Sequence, residues 1–271
     1  FDPEDYMSRP AITKWLKQFT EQKPEPTVDE LNVALRQLAK WRSSVIVNTQ
    51  LQLHGLKVME GPFAGMEYVR EATEGAHAAR LFGTYESELH PHIEAFAAEK
   101  LDCIIDVGCA EGYYAVGLAR LMPDVTVHAF DIQAAARKAC TELAGKNGVS
   151  DRVIVGETFT PDGFEAFAGR NCLVVMDVEG AEWDLLRPDL SPSLAHMSVI
   201  VETHDVFRPG TLTELKARFS PTHEILEIHQ QPKTGALPDW LNKLGHLDQL
   251  LAVWEWRMAP TPWLVMRPKA G

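Results

Sequence analysis

The sequence has few cysteines and no apolar run long enough to cross a membrane. Its four thiols, Cys103, Cys109, Cys140 and Cys172, form no C-x-x-C pair. Cys103 and Cys172 lie in apolar runs that predict buried strands, so a disulfide framework is not expected. The first residues lack the pattern of a signal peptide. We therefore expect a cytoplasmic protein with free, buried thiols.

Positive charge is also scarce. The 271 residues include 26 Lys and Arg against 38 Asp and Glu, which gives a net charge of −12. Such a surface repels phosphate backbones, so nucleic acid is not an expected partner and a small molecule is. Hydrophobic residues make up 45% of the chain, enough for a full core. Homo-oligomerisation is left open by these features.

The chain divides into two predicted parts and has no internal repeats. Residues 1–100 predict a helical extension followed by a connector or lid. One helix is expected around Ile12–Phe19, and a second is expected to begin at Thr27 with a Thr27–Glu30 capping box. Glycines in residues 55–69 predict a hairpin, and another helix is expected at about 86–99. Residues 101–271 form the second part.

Strands and helices alternate in this second part, which predicts an α/β fold with a parallel sheet. Apolar strand patterns occur at residues 103–105, 125–129, 152–156, 172–176, 199–201, 224–229 and 263–266. A Trp-rich stretch at residues 238–257 predicts a helical segment between the last two strands. The chain is thus expected to carry a ligand beyond the carboxyl ends of its parallel strands.

A glycine turn with the sequence DVGCAEG occupies residues 106–112, between the first strand and its helix. Glycines let the backbone approach a ligand there. A dinucleotide site requires G-x-G-x-x-G, but the second glycine position holds Ala110. Glu111 occupies the helix start, where its charge opposes a pyrophosphate. The turn therefore favours S-adenosylmethionine (SAM), which has a sulfonium and an amino group but no phosphate, over a dinucleotide.

Four segments carry a family resemblance: the turn, Phe130-Asp131, NGVSDRV at residues 147–153 and MDVEGAE at residues 176–182. Residues 101–206 resemble class I SAM-dependent methyltransferases. The DVEGAE box and the later IVETH at residues 200–204 are similar to the FkbM-like branch, which includes O-methyltransferases of sugars and natural products. The resemblance implies a Rossmann-like seven-stranded sheet whose last strand is antiparallel.

The resemblance also implies the residues that bind the cofactor. Contacts with the methionyl part are expected along the turn, from Asp106, Gly108, Ala110 and Gly112. Asp131 is expected to bind the ribose and Glu157 to lie beside adenine. Tyr85 and Glu86, which precede the first strand, are implied as contacts of cofactor or substrate.

Two hypotheses describe the chemistry at the ends of the fourth and fifth strands. In one, His204 is a general base assisted by Asp177, because an imidazole titrates near neutral pH. In the other, Asp177 and Glu202 bind Mg²⁺ or another divalent cation together with Asp205 or His204. Catechol O-methyltransferase-like enzymes place acidic ligands at these two strand ends, but this chain has Glu-Thr where they have Asp-Asn.

The leading functional hypothesis is O-methylation of a small polyol, sugar or natural-product hydroxyl. A second hypothesis keeps SAM but replaces methyl transfer by aminocarboxypropyl transfer or cyclisation. A third is a non-catalytic module that binds nucleosides, with the tryptophans as an interface. The sequence carries no motif that identifies the acceptor.

Overall fold

The computed structural model of the chain describes residues 8–70, 76–233 and 237–269. Its first two helices are α1 (Arg9–Gln22) and α2 (Val28–His54). The capping box predicted at the start of α2 is confirmed. The Thr27 hydroxyl accepts the Glu30 N–H, and the Glu30 carboxylate accepts the Thr27 N–H at 2.9 Å. Both predicted helices of the extension are therefore present.

The connector contains the predicted hairpin in a minimal form. Lys57 and Glu67 form one antiparallel bridge, and the Val58 N–H donates to the Met66 carbonyl at 2.9 Å. Two short helices follow, α3 (His77–Phe82) and α4 (His90–Ala97). A 3-10 turn at Ser87–Leu89 leads into α4, so the helix expected at about 86–99 is confirmed.

Seven strands form one sheet: β1 (Cys103–Val107), β2 (Thr126–Phe130), β3 (Val153–Gly156), β4 (Cys172–Met176), β5 (Ser198–Glu202), β6 (His223–Ile228) and β7 (Trp263–Pro268). Their order is β3-β2-β1-β4-β5-β7-β6. The first five pair in parallel, and β7 runs antiparallel to both β5 and β6. The predicted Rossmann-like sheet with an antiparallel last strand is confirmed.

Helices cover both faces of the sheet: α5 (Tyr113–Leu121), α6 (Ala134–Lys146), α7 (Glu182–Leu185), α8 (Thr211–Phe219), α9 (Asp239–Asn242) and α10 (His246–Ala252). β1, β4 and β5 are buried along their whole length, which is why their sequences are continuously apolar. Side chains of one strand alternate between two cores. Ile104 belongs to the core under α5 and α6, and Ile105 to the core under α8.

The N-terminal extension shares the first of these cores. Ile46 of α2 and Leu251 of α10 belong to the same apolar cluster as the sheet. Arg42 of α2 also pairs with Asp248 of α10 through two hydrogen bonds of 2.6 and 2.7 Å. The extension is thus packed against the α/β part, and the boundary predicted at residue 100 separates elements that share a core.

The Trp-rich stretch is only partly helical. Helix α9 ends at Asn242, and α10 spans His246–Ala252. Beyond α10 the chain is irregular, and Trp256 has a left-handed φ of +63°. The prediction of one helical segment over residues 238–257 was wrong for its last part, because Arg257 is bound to carboxylates from other elements.

All four cysteines are free and buried, as predicted. Within the described residues, no helix combines the length and the apolar character that a membrane span requires.

Candidate functional site

The glycine turn lies at the carboxyl end of β1, where the strand order switches between β1 and β4. Gly108 and Gly112 have φ of +85° and +97°, and Ala110 also has a positive φ of +46°. A Cβ on Gly108 would lie 1.8 Å from the carbonyl oxygen of Asp177. The turn is therefore pressed against the end of β4 at Gly108, a position that only glycine fits.

Asp131 closes the turn from the end of β2. One carboxylate oxygen accepts the Ala110 N–H at 3.0 Å, and the other accepts the Gln133 N–H at 2.8 Å. Each oxygen retains a lone pair for a second donor. The structure thus brings together Asp131, which is predicted to bind the ribose, and Ala110 of the turn.

Glu157 lies at the same edge of the sheet but faces solvent, with its side chain 79% exposed. Arg137 joins it to Asp131 by donating to the Glu157 carboxylate at 3.2 Å and to the Asp131 carbonyl at 2.9 Å. The role of Glu157 beside adenine stays a prediction.

Asp106 is buried at the base of the turn. Burial raises the pKa of this carboxyl group to about 7. Among the described residues, its Oδ2 atom has no hydrogen-bond partner. A positively charged donor placed at the turn would supply the missing partner and stabilise the carboxylate.

Glu111 does not present its charge to a ligand above the turn, as the sequence argument assumed. Its side chain is fully buried and accepts hydrogen bonds from Arg80, at 2.6 Å, and from the Tyr68 hydroxyl. That part of the prediction was wrong, because the guanidinium of Arg80 balances the carboxylate. No sequence pattern links residues 80 and 111, which meet only through the packing of α3.

We expect Glu111→Gln to lower the free energy of unfolding by about 3 kcal/mol, because the substitution leaves the buried Arg80 charge without its main partner. Urea unfolding measures this loss. Glu142→Gln, which removes an exposed carboxylate on α6, is the matched control and should change stability by less than about 0.5 kcal/mol. Equal stability of the two variants would contradict the structural role of the Arg80–Glu111 pair.

A cavity of about 600 Å³ opens beside the turn, at the ends of β4 and β5. We call it the strand-end cavity; its polar wall includes Tyr85, Asp177, Glu179, Glu202, His204 and Arg257. The Asp177 carboxyl group lines the cavity, while the carbonyl of the same residue contacts Gly108. A ligand on the turn and a second molecule in the cavity would therefore be neighbours.

His204 is held in the cavity wall by Glu182, which begins α7. The His204 backbone N–H donates to Glu182 Oε1 at 2.7 Å, and Nδ1 lies 3.2 Å from the same oxygen. Nε2 then faces carboxylate oxygens of Glu202, Asp177 and Glu179 at 3.4, 3.6 and 3.8 Å. The two predicted catalytic residues, His204 and Asp177, thus lie together.

The charges around His204 change its acid–base behaviour. Burial alone would lower the pKa of the imidazole. The hydrogen bond with Glu182 and the charge of Asp177 outweigh burial, and the net result is a pKa raised above its usual value. In the absence of other ligands, a proton is therefore held more tightly by His204 than by an exposed histidine.

Asp205 lies outside this group, so its prediction as a metal ligand was wrong. Its two carboxylate oxygens accept the N–H groups of Gly210 and Leu212, at 2.7 and 3.0 Å, at the start of α8. Among the described residues, the cluster whose ligand atoms lie within 4.8 Å of one another is Asp177, Glu179 and His204. A cation site at the strand ends would thus use Glu179, which was not in the predicted ligand set.

Glu202, the other predicted metal ligand, is paired with a residue that the sequence argument did not identify. Arg257 donates to Glu202, to Glu86 at 2.6 Å and to Glu255 at 3.1 Å. Burial, and then the charge of Glu86, raise the pKa of Glu255 to about 7. Arg257 therefore joins β5 to the segment that precedes α4, across 171 positions of sequence.

Tyr85 also lines the cavity, and its role as a contact of cofactor or substrate stays a prediction. Its hydroxyl accepts a hydrogen bond from Arg80 at 3.2 Å, and the Arg80 guanidinium lies 4.4 Å from its ring centre. Glu86 is fully buried, and its carboxylate accepts a hydrogen bond from the Tyr114 hydroxyl. Of this predicted pair, Tyr85 lines the cavity, whereas Glu86 is buried outside the lining and binds Arg257.

No family model matches this chain, and no curated protein does. Several solved structures are similar to it in part. Precorrin 8w decarboxylase of Methanobacterium thermoautotrophicum aligns with 19% identity over 68% of this chain and 90% of its own, with a TM-score of 0.43. A SAM-dependent O-methyltransferase of Thermotoga maritima aligns with 11% identity over 69% of this chain and 66% of its own, with a TM-score of 0.44.

The human methyltransferase 10 domain containing protein aligns with 12% identity over 84% of this chain and 97% of its own, with a TM-score of 0.45. These likenesses are distant. The strand order and the side chains described above therefore carry the functional argument for this chain.

Proposed function

We propose that this chain is a SAM-dependent methyltransferase that acts on the hydroxyl group of a small molecule, a sugar, polyol or natural product, in the cytoplasm. The observation that carries the proposal is the contact between the glycine turn and the strand-end cavity at Asp177. A cofactor on the turn would have its reactive end beside the acceptor and beside His204. The FkbM-like branch remains the proposed relationship, supported by the DVEGAE and IVETH segments.

The charge of the site supports SAM rather than a dinucleotide, even though Glu111 is neutralised. Asp106 offers a buried oxygen that lacks a partner at the turn, and the ammonium of the methionyl group is a suitable donor. Asp177 and Glu179 add negative charge at the neighbouring end of β4. A pyrophosphate at the same place would be repelled by these carboxylates.

The reaction would be an in-line displacement. The acceptor oxygen forms a bond with the methyl carbon as the bond between that carbon and sulfur breaks, and the hydroxyl proton passes to Nε2 of His204. The products are S-adenosylhomocysteine and a methyl ether. Glu182 holds the ring through Nδ1, so Nε2 is the nitrogen turned toward the acceptor.

Calorimetric titration with SAM tests the cofactor assignment. We expect binding to the wild-type protein and about tenfold weaker binding to Asp131→Asn, because an amide is a poorer acceptor for two ribose hydroxyls than a carboxylate. Asp124→Asn removes an exposed acid just before β2 and should leave the affinity unchanged. No heat with SAM, together with clear binding of NAD, would overturn the proposal.

The other reactions of SAM give different products. Methyl transfer leaves S-adenosylhomocysteine, whereas aminocarboxypropyl transfer and cyclisation leave methylthioadenosine. Mass spectrometry of the reaction mixture distinguishes the two compounds. Tight SAM binding without either product, across a broad set of acceptors, would favour a non-catalytic module.

A divalent cation at the strand ends is a second candidate for the group formed by Asp177, Glu179 and His204. The residues fit an ion because Glu182 fixes the imidazole with Nε2 toward the two carboxylates, as in many histidine ligands. An ion bound there would polarise the acceptor oxygen. A nitrogen ligand favours a transition ion such as Mn²⁺ over Mg²⁺.

Titration with Mn²⁺ alone tests this candidate. If the ion binds, Glu179→Gln should weaken its binding by about tenfold or more. Asp205→Asn should leave the affinity unchanged, because Asp205 holds the start of α8 instead. Loss of binding in Asp205→Asn alone would restore the ligand set predicted from sequence.

A further inference from the structure

Among the described residues, the strand-end cavity is surrounded by more negative than positive charge, since Arg80, which also lines it, is paired with Glu111. On one side, four buried carboxylates, those of Glu86, Glu88, Glu202 and Glu255, share the two cations of Arg257 and Lys233. Two carboxylates therefore exceed the cations there, unless protons are bound. Burial raises the pKa of Glu255, and the charge of Glu86 raises it further, as a surplus of carboxylates would.

The opposite side of the cavity has the same imbalance. Among the described residues, the carboxylates of Asp177, Glu179 and Glu182 lie within 4 Å of the His204 imidazole. Glu179 has a side chain that is 55% exposed, so one of these charges lies at the opening. Low-dielectric walls with charge of one sign concentrate the field, and the cavity should attract cations.

Aromatic rings stand at the same opening. Phe207 is 61% exposed, and its ring lies 5.8 Å from that of His204. Trp256 also lines the cavity, and the Lys40 ammonium lies 4.7 Å from its ring centre, so Phe207 is the more accessible of the two rings. Rings of this kind bind ammonium groups through their faces while they pack against the carbon skeleton of a ligand. Charge and aromatic surface thus favour the same class of ligand.

We propose that the methyl acceptor carries a protonated amine as well as its hydroxyl group, an inference that rests on the proposed function. The ammonium lies between Asp177 and Glu179, and the hydroxyl faces Nε2 of His204. Amino sugars and amino alcohols have this combination of groups. SAM contributes a net positive charge of its own, and the carboxylates around the cavity are numerous enough to balance both molecules.

The arrangement also selects the atom that is methylated. Carboxylates stabilise the protonated amine, and an ammonium nitrogen has no lone pair with which to attack the methyl carbon. The hydroxyl oxygen can attack because His204 accepts its proton. The expected product is an O-methyl ether with a free amino group.

Matched sets of ligands with charges of +1, 0 and −1 test this inference. Glucosamine, glucose and glucuronate form one set, and ethanolamine, ethylene glycol and glycolate form another; tyramine, 4-ethylphenol and 3-(4-hydroxyphenyl)propanoate form a third. Binding to the protein loaded with S-adenosylhomocysteine is measured by ligand-observed NMR. At least one cationic member should bind about tenfold more tightly than its neutral partner, and the anionic members most weakly.

The variant Glu179→Gln removes one charge at the opening and should reduce the preference for the cationic ligand several-fold, while the neutral ligand binds as before. Glu142→Gln removes a charge on α6 and should leave the preference intact. The inference is wrong if no cationic member binds, if neutral or anionic members bind equally well, or if Glu179→Gln has no effect.

Two further measurements distinguish a failure of this inference from a failure of the proposed methyltransferase function or of the proposed metal site. SAM binding is measured without any acceptor, so that its absence would count against the methyltransferase assignment itself. The ligand sets are repeated with EDTA and with Mn²⁺. Acceptor binding that requires Mn²⁺ and shows no preference for cations would assign the negative charge to a metal ion and overturn the inference.

Discussion

Replacing Gly108 by alanine is expected to abolish detectable SAM binding and to lower the free energy of unfolding by about 3 kcal/mol. The new Cβ would lie 1.8 Å from the Asp177 carbonyl oxygen, and the backbone there has a φ of +85°. Because the obstructing atom belongs to the backbone, the clash is relieved only if the turn and the end of β4 separate. Calorimetry with SAM and urea unfolding measure the two effects.

Gly148 provides a matched control, because its φ of +67° is also left-handed but nothing lies within 4 Å of a Cβ built there. Gly148→Ala should cost about 1 kcal/mol from backbone strain alone and leave SAM binding intact. The difference between the two variants isolates the close approach of the turn to β4. Normal SAM affinity in Gly108→Ala would show that the cofactor does not need this geometry.

Substitution of His204 by glutamine should lower kcat by a factor of about 10² to 10⁴ while SAM affinity is unchanged. The amide of glutamine can still donate to Glu182, but it cannot accept a proton at neutral pH. The measurement is the rate of S-adenosylhomocysteine formation with an acceptor, beside a calorimetric titration of SAM. His229→Gln, which changes a histidine with a 67% exposed side chain on the surface, is the control.

The pH dependence of kcat/KM, which reports the protein before the acceptor binds, supplies an independent check on His204. A general base must be unprotonated, so the rate should rise with pH through the pKa of the imidazole. Because the surrounding carboxylates raise this pKa above its usual value of 6.5, the rise should occur above pH 6.5. Glu179→Gln removes one of these charges and should move the rise to lower pH. A rate that does not change with pH, or a His204→Gln variant with normal turnover, would remove His204 from the mechanism.

Arg257 shows how the parts outside the central strands shape the site. It reaches the cavity from the irregular segment after α10 and binds Glu86, which precedes α4, and Glu202, at the end of β5. α10 in turn packs on α2 through the pair between Arg42 and Asp248. The N-terminal extension thus supports one wall of the cavity through its packing against the segment that carries Arg257.

Local sequence patterns determined much of the fold. The capping box at Thr27, the continuous apolar runs of β1 and β4 and the glycine turn depend on residues close together in the chain. Hydrogen bonds to neighbouring backbone groups, burial on both faces of a strand and the conformational freedom of glycine act over a few residues. The parallel sheet, and the positions of Asp177 and His204 at its carboxyl edge, followed from those patterns.

Tertiary structure alone decided which charges meet. The sequence predicted that the Glu111 charge acts on the ligand and that Asp205 binds a metal ion. In the fold, Glu111 pairs with Arg80, and Asp205 accepts N–H groups at the start of α8. The fold also brings Glu179 and Arg257 into the cavity wall. Ion pairs form between groups that the fold brings close in space. A buried carboxylate can therefore pair with a cation from any position in the chain. Spacing in the sequence carries no information on those distances.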